Sequence, residues 1–400
     1  MRFLLFGLTL TALGLLLDLY VYRRWRRFVR EQRWPELWHR LYAVLIPLAA
    51  LLLPAYFLLW RLGEVEQPQL RSVFSGLWVL WYLPKLLLAP FLLLAHLAGL
   101  MGRLWQILRR KPEPAGTAER RRFLRTAGWA LAGVPFVLTG RGLLRDTYAV
   151  TLYRETLRFP NLPRAFDGLR IVQLSDLHAG SYLTLHPVEE ALALCRELKP
   201  DLLVFTGDFV NGDDAELDRT APLLRALAAL RPPLGAFGIR GNHEHYADPE
   251  RVSARMEAYG FRMLVNAHHV FRIDGEELQL IGTDNTGMRQ RFADLPRAMA
   301  GLRPEGFRIL LTHDPTFWER SVMGRVDIPL TLAGHTHGGQ LGIEWGPVRM
   351  STSSLVYTRW AGLYREGDQY LYINRGLGTT GPPIRLGIPP EVTEITLRRL

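Results

Sequence analysis

The 400-residue chain contains a single cysteine, Cys195. No intrachain disulfide is possible, so a disulfide-stapled scaffold is excluded and cysteine usage carries no signal about redox compartment. A lone thiol on a helical stretch reads as a small buried apolar residue. Acidic residues are scarce in one region: residues 1–150 hold 8 Asp and Glu against 21 Lys and Arg, a net +13, whereas residues 151–400 hold 30 against 28. The overall charge of +11 therefore belongs to the first part. Its arginines lie between apolar segments rather than on one folded basic face, which argues against nucleic acid as a partner. Charge is absent altogether from Leu41 to Trp60.

That uncharged run of 20 residues, and Phe3 to Tyr22 interrupted only by Asp18, are each long enough to cross a hydrocarbon core of roughly 30 Å. Val73 to Met101 is a third span, carrying Lys85, His96, Pro84 and Pro90, and is expected to be tilted or kinked. Thr126 to Gly140, with 15 residues, reaches about 22 Å and is short for a crossing. Arginine-rich loops stay in the cytoplasm, and here they follow the first span (Arg23 to Arg40) and the third (Arg103 to Arg125, including Arg110 and Lys111). The N-terminus is then outside, and the C-terminal 250 residues are outside if the fourth segment crosses. Arg120-Arg121-Arg122-Phe123-Leu124-Arg125 resembles an internal twin-arginine export signal; the alternative is an ordinary basic juxtamembrane anchor. The expected organisation is a transmembrane region over 1–150 and a soluble domain over 151–400, the whole an integral, multi-pass inner-membrane protein.

From residue 151 the chain alternates short apolar strands with helical segments, the pattern of an α/β domain. Asp274-Gly275 between two apolar runs predicts a hairpin, so part of the sheet system is antiparallel. Five apolar strands end in polar sets: Asp176 with His178, Asp208, Asn242 with His243, His313, and His335 with His337. In α/β sheets the carboxyl ends of strands are where ligands bind. Any one of these residues could be a helix cap, a turn former or a core histidine. Together they use five of the chain's eleven histidines at equivalent positions, which points to one shared site.

Two carboxylates, four imidazoles and a carboxamide oxygen suit Mn, Fe, Zn, Co or Ni and are too nitrogen-rich for a calcium or magnesium cage. The set is too large for one tetrahedral ion. Two ions about 3.5–4 Å apart, sharing a carboxylate, would use all of it and supply a hydroxide for in-line displacement at phosphorus.

The motif series D-x-H, G-D, G-N-H-E, H and G-H-x-H over residues 151–400 resembles the calcineurin-like metallophosphoesterases. The resemblance implies a four-layer α-β-β-α sandwich of two mixed sheets. It implies two divalent ions, Mn, Fe or Zn: Asp176, His178 and His337 on one, Asn242, His313 and His335 on the other, and Asp208 between them. It also implies that His243 is the general acid and that Glu244 orients it. Asn211 departs from the pattern, since many members carry an acid there. The Gly338-Gly339-Gln340 extension and the Pro389-Pro390-Glu391 strand resemble the branch with secreted, membrane-associated phosphodiesterases and UDP-diacylglucosamine pyrophosphatases.

The expected activity is a membrane-anchored phosphodiesterase acting on lipid head-group or cell-envelope phosphoesters. A cytoplasm-facing pyrophosphatase of nucleotide-linked lipid precursors is the alternative enzyme, and a catalytically inactive sensor or transport-associated protein the alternative of another class. Arg240, Arg289 and Arg375 are candidate phosphate contacts.

Overall fold

The computed structural model describes residues 2–61, 68–109, 117–286 and 291–400. It divides into two compact units, Met1–Leu143 and Leu144–Leu400.

The first unit is helical: α1 (Arg2–Glu31), α2 (Leu37–Arg61), α3 (Pro68–Arg109), α4 (Thr117–Ala132) and α5 (Val134–Arg141). Its helices turn large apolar side chains outward; Leu16 and Leu94 are each 64 % exposed and Val137 71 %. Water would penalise such a surface, and lipid does not. The charges go inside. Asp18 on α1 and Lys85 on α3 are fully buried and pair at 2.5 Å, while Trp81 and Tyr42 donate to the same carboxylate at 3.2 and 3.4 Å. Among the described residues, two stretches are long and apolar enough to cross a membrane, Ser72–Gly102 with 31 residues and Thr126–Asp146 with 21; Leu37–Leu52 is a shorter apolar helix. Pro84 and Pro90 both lie within α3. The last stretch is longer than its sequence suggests, because Arg141 and Arg145 end the apolar run without ending the helix, which continues as a π-helical turn over Gly142–Asp146. Arg110 and Lys111 lie outside the described residues, as do the side chains of Arg120, Arg121 and Arg125.

The second unit runs β1 (Thr151–Phe159), β2 (Arg170–Leu174), α6 (His186–Leu198), β3 (Leu202–Phe205), α7 (Leu217–Ala228), β4 (Ala236–Gly238), α8 (Pro249–Tyr259) and β5 (Arg262–Met263). It continues with β6 (Ala267–Ile273), β7 (Glu276–Gly282), α9 (Leu295–Met299), β8 (Phe307–Leu311), β9 (Leu330–Ala333), β10 (Gly342–Trp345), β11 (Val348–Ser351), β12 (Gly362–Glu366), β13 (Gln369–Ile373) and β14 (Glu391–Arg399). Local signals set the helix ends: the Asp248 carboxylate caps α8 by accepting from Glu250 and Arg251, Pro249 starts it, and Gly260 closes it at φ 108°.

Two six-stranded mixed sheets result, ordered β1-β14-β2-β3-β4-β5 and β12-β13-β9-β8-β7-β6, with β10-β11 as a separate hairpin. Period-two side-chain alternation divides each strand between two layers. On β2, Ile171 joins the core between the sheets, with Val204, Ile239, Leu280, Ile309, Leu332 and Ile395, while Val172 and Leu174 pack under α6, α7 and α8. On β8, Ile309 and Leu311 face inward and Leu310 faces the layer of α9 and Trp318. The architecture is the α-β-β-α sandwich expected. The predicted hairpin is β6-β7, turning at Asp274-Gly275. Cys195 is a buried free thiol on α6. Gln173 on β2 donates to the Ala333 carbonyl of β9 at 2.9 Å, tying the two sheets together where their strands end.

Candidate metal centre

The loops that leave β2, β3, β4, β8 and β9 carry Asp176 and His178, Asp208, Asn242 and His243, His313, and His335 and His337 respectively. All are buried except His243 and His335, which are half-buried. Their backbones share an unusual property. Asp176, His178, Asp208, His335 and His337 all have positive φ, between 45° and 72°. Non-glycine residues avoid this region, and such strain collects at functional sites. In two short turns this conformation falls on alternate residues, 176 with 178 and 335 with 337, and three of these four side chains meet in one cluster. Gly334 has its own reason to lack a side chain: a Cβ there would collide with Ser175 Oγ and the Asp176 carboxylate.

Among the described residues, three groups each bring their potential ligand atoms within 4.8 Å of one another: Asp176, His178 and His337; Asp208, His313 and His335; and His178, Asp208 and His243. Asp208 joins them, its Oδ2 lying 3.0 Å from His313 Nε2 and 3.6 Å from His178 Nε2. His337 Nε2 is 3.0 Å from His178 Nε2 and 3.4 Å from Asp176 Oδ1, and His335 Nδ1 is 3.2 Å from His313 Nε2.

The other ring nitrogens are held from outside. A carbonyl can only accept, so the contacts of His313 Nδ1 with Thr206 O (2.7 Å) and of His243 Nδ1 with Asn211 O (2.6 Å) place a hydrogen on each Nδ1. His178 Nδ1 meets Asn211 Oδ1 at 3.0 Å in the same way. Each of these three rings therefore turns Nε2 toward the site. Burial first, then the neighbouring His243, depresses His178 to about 3; burial and His313 depress His335 to about 4, and burial and His178 hold His337 well below its usual range. These three imidazoles are neutral, and those of His178 and His337 face each other through Nε2 at 3.0 Å. Burial would raise Asp208, but the charge and hydrogen bond of His313 outweigh it and hold the carboxylate well below normal; in return Asp208 overcomes burial and raises His313 to about 10. Burial raises Asp176 to about 6.

Asn242 supplies a test of whether divalent ions fit. Its Oδ1 is buried and has no hydrogen-bond partner, although Nδ2 contacts the Tyr246 hydroxyl at 3.4 Å. A buried carboxamide oxygen left unpaired costs about 1–3 kcal/mol unless something satisfies it. Facing imidazole nitrogens, buried carboxylates and this orphaned oxygen make up a donor set that a cation would complete.

Glu244 differs from expectation. Its carboxylate accepts the backbone N–H groups of Asp208 (3.0 Å), Phe209 (2.7 Å) and Gly241 (2.6 Å), and it braces those two loops rather than the His243 ring. Asn211, which looked like a departure from the family pattern, orients His178 through its side chain and His243 through its carbonyl. Its own N–H and Nδ2 donate to Glu216 Oε2 at 2.6 and 3.3 Å, and that acceptor fixes which end of the amide faces His178. Two arginines proposed as phosphate contacts are committed elsewhere. Arg240 is buried and binds Glu250 and Ser253, and Arg375 is buried between Glu391 (2.6 Å) and Glu344 (2.9 Å). Arg289 lies outside the described residues.

Further groups reach the site that no motif flagged. Ser175 Oγ donates to Asp176 Oδ2 at 2.5 Å, Thr380 Oγ1 lies 2.8 Å from His337 Nε2, and the Tyr357 hydroxyl lies 3.0 Å from His335 Nε2. Thr380 and Tyr357 stand in loops far from the strand ends in sequence and carry no spacing signal.

A family model described as calcineurin-like phosphoesterase matches residues 169–339. Another, described as a probable calcineurin-like phosphoesterase transmembrane domain, matches residues 1–146. The metallophosphoesterase YkuE of Bacillus subtilis is 35 % identical over 289 residues, covering 70 % of this chain and 97 % of that protein. The chain belongs to the calcineurin-like metallophosphoesterases. A Danio rerio protein named as a transmembrane protein with metallophosphoesterase domain is 29 % identical over 414 residues, covering 100 % of this chain and 89 % of that one. Phosphodiesterase YaeI of Escherichia coli is 31 % identical over 233 residues, 57 % of this chain and 82 % of that protein. This calcineurin-like metallophosphoesterase is thus a membrane-associated phosphoester hydrolase whose family uses divalent metals, and its aspartate and histidine clusters fit a dinuclear site.

Proposed function

We propose that the chain is a membrane-anchored phosphodiesterase that hydrolyses lipid head-group or cell-envelope phosphoesters on the outer side of the membrane, with a transmembrane region over 1–150 and the catalytic domain over 151–400. The observation that carries the site assignment is Asp208 Oδ2, which lies within 3.6 Å of a ring nitrogen from each of two clusters. Asp176, His178 and His337 would hold one divalent ion and Asn242, His313 and His335 the other, with Asp208 shared. Manganese, iron and zinc all suit this set. When bound, such a pair lowers the pKa of water and screens the phosphoryl oxygens.

The chain's own residues do the rest. His243 has Nδ1–H committed to the Asn211 carbonyl and its N–H committed to Asp208 Oδ1 at 2.9 Å, so Nε2 is free to carry a proton to the leaving oxygen. Glu244 keeps the Asp208 and Gly241 loops in register. The phosphodiesterase assignment draws on the name of YaeI, and the membrane side on the 21-residue length of Thr126–Asp146, which reaches about 31 Å.

The test is hydrolysis of bis(p-nitrophenyl) phosphate by the full chain in detergent with added Mn²⁺. Asp208→Ala should lose both metal and activity. His243→Ala should keep its metal and slow by roughly 10²–10⁴. Equal activity in all three proteins, or activity without metal, overturns the assignment.

A further inference from the structure

The hairpin β10-β11 follows the Gly334–Gln340 turn directly and presents its apolar face to the outside. Its register pairs Ile343 with Met350 and Trp345 with Val348. Directly opposed residues share a face, so these four form one continuous apolar surface. They are 58, 64, 82 and 48 % exposed respectively, and Leu355 and Val356 just beyond the hairpin are 85 and 77 % exposed. The alternate pair, Glu344 with Arg349, occupies the other face and bonds inward: Arg349 to Glu344 at 2.9 Å and to the Ala361 carbonyl at 2.7 Å, and Glu344 to buried Arg375 at 2.9 Å. A hairpin in water keeps its charged pair outside, and this one is inverted. Its tip is the two-residue turn Gly346-Pro347, with Gly346 at φ 57°.

We infer that this hairpin, with Leu355 and Val356, is a membrane-docking edge that seats the metal centre against phospholipid head groups. Three observations favour a bilayer over other occupants. The chain is tethered to one: the helical run ends at Asp146 and β1 begins at Thr151, so lipid is held at high effective concentration. The most exposed aromatic of the edge is a tryptophan, the side chain suited to the head-group layer. The patch also continues into the site, because Tyr357, next to Val356, places its hydroxyl 3.0 Å from His335 Nε2.

The docking itself is independent of the proposed activity; only the substrate arm of its test rests on that reading. Cys195 is buried, so a cysteine introduced by Trp345→Cys can be labelled selectively with an environment-sensitive fluorophore in the full chain. In phosphatidylcholine and phosphatidylglycerol nanodiscs, lipids bearing acyl-chain nitroxides should quench the label at 345, and should not quench one introduced by Asp368→Cys on the β12-β13 turn. No quenching at 345, or protection there that depends on protein concentration and so marks a second copy, overturns the proposal. In the substrate arm, Trp345→Ser with Met350→Ser should lower turnover of a bilayer-embedded phosphodiester roughly tenfold or more while leaving soluble bis(p-nitrophenyl) phosphate unchanged. Quenching without any metal-dependent hydrolysis retains the docking edge and refutes the phosphodiesterase reading; hydrolysis without quenching does the reverse.

Discussion

Asn211 holds His178 from outside the candidate metal site, its carboxamide oxygen 3.0 Å from Nδ1. Partners of this kind set the tautomer and orientation of a metal-binding ring, and removing one costs about 10- to 100-fold in metal affinity. Asn211→Ala should therefore need that much more Mn²⁺ for half-maximal activity. The backbone carbonyl that orients His243 survives the substitution, so turnover at saturating metal should stay within a few-fold of the parent. Titration of activity against free Mn²⁺ separates the two effects; an unchanged midpoint would remove the positioning role.

Metal uptake should release protons. In the metal-free chain His313 is raised to about 10, burial being outweighed by the Asp208 carboxylate 3.0 Å away. A histidine whose folded pKa is raised stabilises the fold fully below its unfolded value near 6.5, and that contribution fades as pH climbs toward 10. An ion at His313 must displace this proton, so at neutral pH about one proton should leave per dinuclear site, and affinity should rise with pH. Below about 6 Asp176, raised by burial, holds a second proton and the dependence steepens. Calorimetry in buffers of different ionisation enthalpy counts these protons, and a count of zero at neutral pH would contradict the Asp208–His313 pair.

Much of this centre was legible because its chemistry sits at strand ends, where the apolar run and the polar residue after it are adjacent in sequence. The same locality made the β6-β7 hairpin readable at Asp274-Gly275. What stayed hidden is what comes from elsewhere in the chain. β1 pairs in parallel with β14, with Thr151 opposite Glu391, and no local pattern announces such a partner. Thr380 and Tyr357 reach the site through tertiary packing alone. The role that the family resemblance implies for Glu244, orienting His243, is not the one seen here, because the turn points its carboxylate back at three backbone N–H groups.

The buried Asp18–Lys85 pair makes a separate prediction for the helical unit. Removing one partner of a buried pair leaves an uncompensated charge and costs about 3–5 kcal/mol, whereas replacing both is often neutral. Lys85→Met should sharply lower the yield of full-length protein in membranes, and adding Asp18→Leu should restore most of it. Fluorescence-detected size-exclusion profiles of the tagged chain report both. If the double variant is as poor as the single one, the pair does more than neutralise itself.

Glu244→Gln discriminates a brace from a catalytic group. As a carboxylate, Glu244 accepts three backbone N–H groups: Oε2 takes Asp208 and Gly241, and Oε1 takes Phe209. Burial raises its pKa first, but the hydrogen bonds from Gly241 and Phe209 oppose the rise and favour the charged form. Glutamine keeps the shape and has one oxygen, so its NH₂ must face at least one of those donors. An unsatisfied buried donor costs about 1–3 kcal/mol. For a domain of this size that lowers the unfolding midpoint by about 2–4 °C per kcal/mol. Because the loops carry Asp208 and Asn242, metal affinity should fall with stability. The alkaline limb of the pH–rate profile, where a general acid in the role proposed for His243 would lose its proton, should stay where it is once metal is saturating. A shift of that limb with no loss of thermal stability would return Glu244 to direct contact with His243.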